Sequence, residues 1–297
     1  MSRWLALLVV GLGCGSGATA ADDATQDDDA TADDAGVPDA APGRACKRGV
    51  AYNREDAADA DVLSPSVGWW YNWSPLPDPD AYPALRAGGL EFVPMVWTGP
   101  PRASIDVAGL IADIPDDARY LLGFNEPNFG EQANLTPAEA AAAWPQLEEI
   151  ARARNLQLVS PALNYCGGDC NETDPFVWLD AFFAACDGCR VDHIAFHWYA
   201  CTPEALETIL GRFEAYGRPV WVTEFSCLDA ADTSEPVQQQ YMRDALPILE
   251  ADPQVFRYAW FIARSSTAGT PYALLAEPGR LSALGESYVG LDGACAP

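Results

Sequence analysis

Between Lys47 and Ile262 the chain repeats one pattern eight times: a short apolar, β-branched or aromatic run that Gly, Pro or a polar turn brings to an end. The runs cover residues 47–52, 67–73, 91–97, 119–126, 156–163, 191–199, 219–226 and 255–262, with helix-period segments between several of them. Such alternation predicts parallel pairing, because a strand reaches a parallel partner only through a crossover long enough to hold a helix. Right-handed crossovers wind successive units the same way, and eight strands close the sheet. The expected fold is therefore α/β, a single (β/α)₈ TIM barrel over residues 45–297, whose 253 positions match the usual size of that fold.

The helices announce their starts. Thr136 followed by Pro137 and by Glu139 is a capping-box sequence opening an Ala-rich helix to Arg154, in which Pro145 predicts a kink or break. Asp174 caps a helix from Pro175 to Ala185, and Thr202 caps one from Pro203 to Tyr216 that stops at Gly217. A further helix is expected over Ser234 to Glu250, again with an internal proline, Pro247.

Upstream of the repeats the sequence changes character. After Met1-Ser2-Arg3 comes an apolar run, residues 4–13, too short to span a bilayer, so residues 1–20 read as a secretory signal peptide cleaved after Ala18-Thr19-Ala20. Leu12-Gly13-Cys14 is similar to a bacterial lipoprotein box, which would instead place a lipid anchor on Cys14. Residues 21–44 carry eight Asp and one Arg and no aromatic residue, and cannot bury enough surface to offset chain entropy. They read as a disordered Asp/Ala-rich linker, and export to the medium or the surface of a bacterial cell is the expected destination.

The net charge is −26, of which the linker carries only −7, so the folded part is itself acidic. That argues against nucleic acid and anionic membranes as partners and suits a neutral substrate bound by a monomer, although a merely solubilising surface has the same composition. Of nine cysteines, Cys14 is removed or lipidated, leaving eight for disulfides in an oxidising compartment. Cys166 with Cys170 and Cys186 with Cys189 look like loop staples, and Cys46 with Cys295 could join the ends, but spacing alone does not choose among connectivities.

Two of the runs end in a lone glutamate, Gly123-Phe-Asn-Glu126-Pro127 and Trp221-Val-Thr-Glu224-Phe225. At the carboxyl end of a barrel strand a side chain leaves the core yet stays on a rigid sheet, where a glycosidase holds its two carboxylates. Simple alternation places Leu122, Phe124 and Glu126 on one face of the fourth run and Val220, Val222 and Glu224 on one face of the seventh. His193 and His197 have a metal-like spacing only on a helix; in a strand, His197 is expected beside Glu224 or the substrate and His193 in the packing. No metal and no cofactor is implied. Indole rings at strand exits can cover the apolar faces of sugars, which selects Trp73, Trp97 and Trp260 as sugar contacts, with Tyr71, Asn72, Asn164 and Tyr199 as polar partners.

The motifs together resemble glycoside hydrolase family 128, endo-β-1,3-glucanases of the large clan of retaining (β/α)₈ glycosidases. The resemblance runs from Lys47 to Tyr288 through Lys47-Arg-Gly-Val-Ala-Tyr52, Trp70-Tyr-Asn-Trp73, Phe92-Val-Pro-Met95, Leu122-Gly-Phe-Asn-Glu-Pro127, His197-Trp-Tyr199, Trp221-Val-Thr-Glu-Phe225 and Tyr258-Ala-Trp-Phe261. It implies Glu126 as general acid/base, Glu224 as nucleophile, Asn125 as the residue on the sugar 2-hydroxyl, and β-1,3-glucan as the substrate. A β-1,4-glycanase of the same clan and a non-catalytic glucan-binding protein are the rival readings.

Overall fold

The computed structural model describes residues 46–291. The expected signal peptide, the Cys14 anchor, the linker and Cys295 lie outside the described residues. Each of the eight runs contributes a strand: β1 (Arg48–Ala51), β2 (Trp69–Tyr71), β3 (Glu91–Phe92), β4 (Tyr120–Leu122), β5 (Gln157–Leu163), β6 (His193–Ala200), β7 (Val220–Asp229) and β8 (Val255–Phe261). They form one parallel sheet in the order β3-β2-β1-β8-β7-β6-β5-β4. Its two edges meet: Leu122 N–H donates to Pro94 O at 2.9 Å and Val96 N–H to Leu122 O at 3.0 Å, which closes the barrel. The second, third and fourth strands are shorter than their runs. In the third, Pro94 has no N–H to give to a ladder, so beyond Phe92 pairing continues only through single backbone bonds and the isolated Met95–Leu122 bridge.

A helix follows every strand: α1 (Ala60–Leu63), α2 (Tyr82–Ala87), α3 (Val107–Asp113), α4 (Pro137–Arg154), α5 (Pro175–Ala185), α6 (Pro203–Phe213), α7 (Glu235–Ala251) and α8 (Ala283–Gly290). A small hairpin, β9 (Leu275–Glu277) with β10 (Arg280–Leu281), precedes the last helix. Both halves of the capping box form at α4, Glu139 N–H to Thr136 Oγ1 and Thr136 N–H to Glu139 Oε2. Of the expected kink or break at Pro145, no break occurs: the helix runs on through it. Burial of Trp144, Leu147 and Ile150 on one side holds it together despite the missing backbone bond. Thr202 stands at the start of α6 without a side-chain cap bond, and the segment ends in a tight turn at Gly217, whose φ is 59°.

Two apolar layers result. Trp69, Tyr71, Met95, Leu122, Ala195 and Trp221 fill the barrel, while a larger layer lies between the sheet and the helices. Gly49 and Gly123 are dictated by close approach: a Cβ at Gly49 would stand 2.3 Å from the Trp69 ring, and one at Gly123 would stand 2.9 Å from Trp144. The barrel's lower end is shut by Arg257, which reaches over the Tyr120 and Trp221 rings to pair with Glu91 at 2.6 Å, while Arg119 pairs with the same carboxylate at 2.7 Å.

Disulfides join Cys166 to Cys170, Cys186 to Cys189 and Cys201 to Cys227. The first two are the staples expected from sequence. The third links the ends of β6 and β7, a pairing that only the strand order makes visible. Cys46 is disulfide-bonded as well. Among the described residues no helix is long and apolar enough to cross a membrane, and no group of three or more His, Cys, Asp or Glu side chains could hold a metal ion.

Candidate active site

Glu224 reaches the barrel mouth by breaking the alternation that the sequence predicts. Val220 and Val222 pack outward against the helices, and Trp221 points into the barrel. Strict alternation would send Glu224 outward with the valines. Instead the register between β6 and β7 slips: Phe196 faces Val222, but His197 faces Glu224, so Thr223 is an extra residue on β7. This bulge turns the next side chain inward, as bulges beside active sites commonly do. The fourth run departs from alternation too. Leu122 is inside, Phe124 lies in the outer layer, and past β4 the chain keeps only an isolated bridge, Asn125 to Ala162 on β5, before it turns at Glu126.

Glu126 is held in the left-handed backbone region with φ 41°, and Trp73 likewise at φ 59°. A non-glycine residue there costs about 1–3 kcal/mol and persists only where its surroundings fix it. At Glu126 they do: its N–H donates to Ala162 O at 2.8 Å, the preceding Asn125 N–H to Trp97 O at 2.9 Å, and Phe129 N–H returns to Glu126 O at 3.0 Å. At Trp73 the turn is built by Asn72, whose Oδ1 accepts from Ser74 N–H at 3.0 Å while its amide donates to Glu55 and to Leu76 O. Asn72, expected on the sugar, thus has its hydrogen-bonding capacity committed to shaping this loop.

Three donors converge on Glu224. Tyr71 Oη and Trp73 Nε1 each lie 2.8 Å from its Oε1, and the Tyr199 hydroxyl donates to its Oε2. Glu126 receives different partners: His197 Nδ1 is 2.9 Å and Asn164 Nδ2 3.3 Å from Oε1, while Oε2 has no protein hydrogen-bond partner among the described residues. His197 Nε2 lies 3.5 Å from Glu224 Oε1 without hydrogen-bonding geometry, so one imidazole stands between the two carboxylates. Both are nearly sealed, Glu126 at 7% exposure and Glu224 at 4%.

Burial holds the Glu224 carboxyl above its ordinary value; His197 opposes the rise, the Glu126 charge adds to it, and the Tyr199 and Trp73 donors reduce it without cancelling it. Burial and the adjacent Glu224 hold the Tyr71 and Tyr199 phenols well above their usual value, so both keep their protons and remain donors. Burial alone would lower His197, but Glu224 and the hydrogen bond to Glu126 outweigh it and raise the imidazole.

The fold thus gathers Glu126, Glu224, Tyr71, Trp73, Asn164, His197 and Tyr199 into one hydrogen-bonded group. Asn125 adjoins it, its amide donating to Gln132 at 3.2 Å and its buried Oδ1 left without a partner. Trp97 is half-buried above the inner layer. Trp260 does not join them: it is 0% exposed, packs outward on Phe225 and Tyr288, and donates its indole N–H to Tyr272 O. It cannot offer a face to a sugar, since the alternation along β8 turns its neighbour Phe261 inward in its place. Phe261 meets Trp73 and Tyr199 edge-on at 6.0 and 5.6 Å, a role its sequence position could have signalled and the preference for indole obscured.

A carboxylate cradled by donors beside a second one with a free oxygen can attack a carbon centre while its neighbour gives up a proton to the departing group. On a parallel barrel, at the carboxyl ends of two strands, that division of labour defines a glycoside hydrolase. The family model described as the glycosyl hydrolase catalytic core matches residues 49–288. The chain is 47% identical to a family 128 (subgroup II) endo-β-1,3-glucanase of Sorangium cellulosum, with TM-score 0.76 over 82% of this chain and 98% of that one. It is 40% identical to a second from Pseudomonas viridiflava, with TM-score 0.74 over 82% and 97%. The Amycolatopsis mediterranei subgroup I enzyme in complex with laminaritriose is 32% identical, with TM-score 0.65 over 82% and 98%. Alkali-sensitive linkage protein 1 of Schizosaccharomyces pombe is 27% identical over 255 residues, 82% of this chain but only 44% of that relative's length. The chain belongs to glycoside hydrolase family 128.

Proposed function

We propose that the chain is a retaining endo-β-1,3-glucanase that hydrolyses its substrate by double displacement. The observation that carries the mechanism is the unequal treatment of the two carboxylates: three donors aim at Glu224, while Glu126 keeps Oε2 free. Donors favour the ionised form of the group they face, so Glu224 is the nucleophile. Its oxygen bonds to the anomeric carbon as the glycosidic C–O bond breaks, and Glu126 gives its proton to the departing oxygen. Glu126 then takes a proton from water, the water oxygen bonds to the same carbon, and the ester to Glu224 breaks. Two inversions return the original β configuration. The unpartnered Oδ1 of Asn125 is suited to accept from the sugar 2-hydroxyl, a contact that strengthens in the transition state.

The β-1,3 linkage and the endo mode rest on the Sorangium and Pseudomonas relatives, both described as endo-β-1,3-glucanases. Reducing-sugar release from laminarin, with cellulose and mannan as controls, tests the substrate. Release from cellulose alone would move the chain to the β-1,4 reading, and binding without release would make it a lectin-like barrel. Glu224→Ala should abolish turnover, with azide restoring it as the inverted glycosyl azide. Glu126→Ala with an activated leaving group should give the retained azide. Exchanged stereochemistry would reverse the two roles. The amino-terminal sequence supports an exported enzyme with residues 21–44 as a tether, freely secreted or held by lipid at Cys14.

A further inference from the structure

We propose that Tyr165, on the β5–α5 loop, is the platform for the sugar on the leaving-group side of the scissile bond; this rests on the glucanase reading. The direction of the substrate follows from the chemistry. Glu126 protonates the departing oxygen, so the departing sugar lies on the Glu126 side. There a cavity of about 490 Å³ opens between Asn164, whose amide holds Glu126, and Tyr199, whose hydroxyl holds Glu224, and extends to Asp229. Tyr165 lines it with a ring 41% exposed, and of the exposed large apolar side chains among the described residues it alone lines this cavity.

The ring is fixed as well as exposed. Trp198 meets it edge-on at 6.4 Å, and the Arg212 guanidinium donates to its hydroxyl. The loop beneath is equally fixed. The Cys166–Cys170 bridge closes it, and Asn128, two residues beyond Glu126, donates to Asn164 O at 2.8 Å and to Glu172 O at 3.1 Å. Gly130 N–H adds a bond to Asp169 O at 2.8 Å. The proton donor and the platform therefore belong to one rigid block, and an aromatic face presented without reordering suits the apolar face of a pyranose.

A partition experiment isolates this contact. The donor 2,4-dinitrophenyl β-laminaribioside loses its phenolate without needing a proton and leaves the glycosyl ester on Glu224. Either water or added laminaribiose then attacks the anomeric carbon. In both cases the new C–O bond forms, the bond to Glu224 breaks, and the acceptor's proton passes to Glu126. Once the phenolate has left, water attacks without the platform and only laminaribiose needs it. In Tyr165→Ala the ratio of transfer to hydrolysis should fall roughly fivefold to tenfold, and because that ratio is set after the phenolate has left, any effect of the substitution on binding of the donor cancels from it. Tyr165→Phe should keep the ratio, and Tyr165→Leu should lose it, which preserves the test should the alanine variant misfold. A wild-type ratio in folded Tyr165→Ala or Tyr165→Leu overturns the assignment. Absence of dinitrophenolate release by the wild type overturns the glucanase reading, and this one with it.

Discussion

Lowering the pH should destabilise the barrel through one residue at its base, His193. Its Nε2 lies 2.6 Å from Gln157 Oε1, its Nδ1 is buried without a partner, and the rings of Tyr120, Phe256 and Trp221 surround it at centroid distances of 5.6, 4.8 and 5.9 Å. Burial lowers its pKa to about 4; Asp192 opposes this and the Arg257 guanidinium reinforces it. In the unfolded chain the imidazole titrates near 6.5, so between pH 6.5 and 4 the unfolded state binds a proton that the native state refuses. Stability from this group is complete above 6.5, declines as the pH falls toward 4, and is level below that. A gap of roughly 2.5 units at 1.36 kcal/mol each makes the loss about 3 kcal/mol. Urea unfolding of wild type and His193→Gln at pH 7, 5.5 and 4 measures it, because the many carboxylates act alike in both and cancel in the difference. The variant should be the less stable protein at pH 7 and should lose about 3 kcal/mol less on acidification. Parallel pH profiles would mean that His193 takes up its proton alike in the folded and the unfolded chain. The chain has only two histidines, so an imidazole NMR titration should resolve one resonance moving near pH 4 and a second, His197, moving above its ordinary value.

At the site, Tyr199→Phe removes a donor from Glu224, so kcat should fall by about 1.5–3 kcal/mol in barrier terms and the acid limb of kcat/KM should move to higher pH. An unmoved limb would detach Tyr199 from the nucleophile. Trp73→Phe keeps a ring but deletes the indole N–H on Glu224 Oε1, and should lower kcat more than it raises KM; the opposite split, in steady-state kinetics on laminarin, would make Trp73 a sugar platform only. Asp59→Ala strips a buried carboxylate from Tyr52, Arg264 and the Gly279 N–H, and should cost about 3–5 kcal/mol in chemical denaturation, a loss below 1 kcal/mol counting against the network.

The repeating strand and helix units, the helix starts and the glutamates at strand exits are legible in the sequence, and two short Cys spacings suggest loop staples. These are local facts, written in periodicity, turn residues and short spacings. Tertiary structure decided whatever depends on which side chain faces which. Alternation would have turned Glu224 outward with Val220 and Val222, and the register slip at Thr223, set by pairing with β6, turns it inward. Trp260 and Phe261 are adjacent aromatics, and only the pleat of β8 within the closed barrel decides that the first is core and the second faces Trp73 and Tyr199. Asn72 has the chemistry of a sugar ligand, yet the left-handed turn at Trp73 consumes it. Tyr71 and Tyr199 read as polar partners of a substrate, but closure of the barrel sets both on the same carboxylate, where burial keeps them protonated. Cys201 and Cys227 become neighbours only because β6 and β7 pair. Face, register and shared partners arise between segments distant in the chain, and no local pattern encodes them.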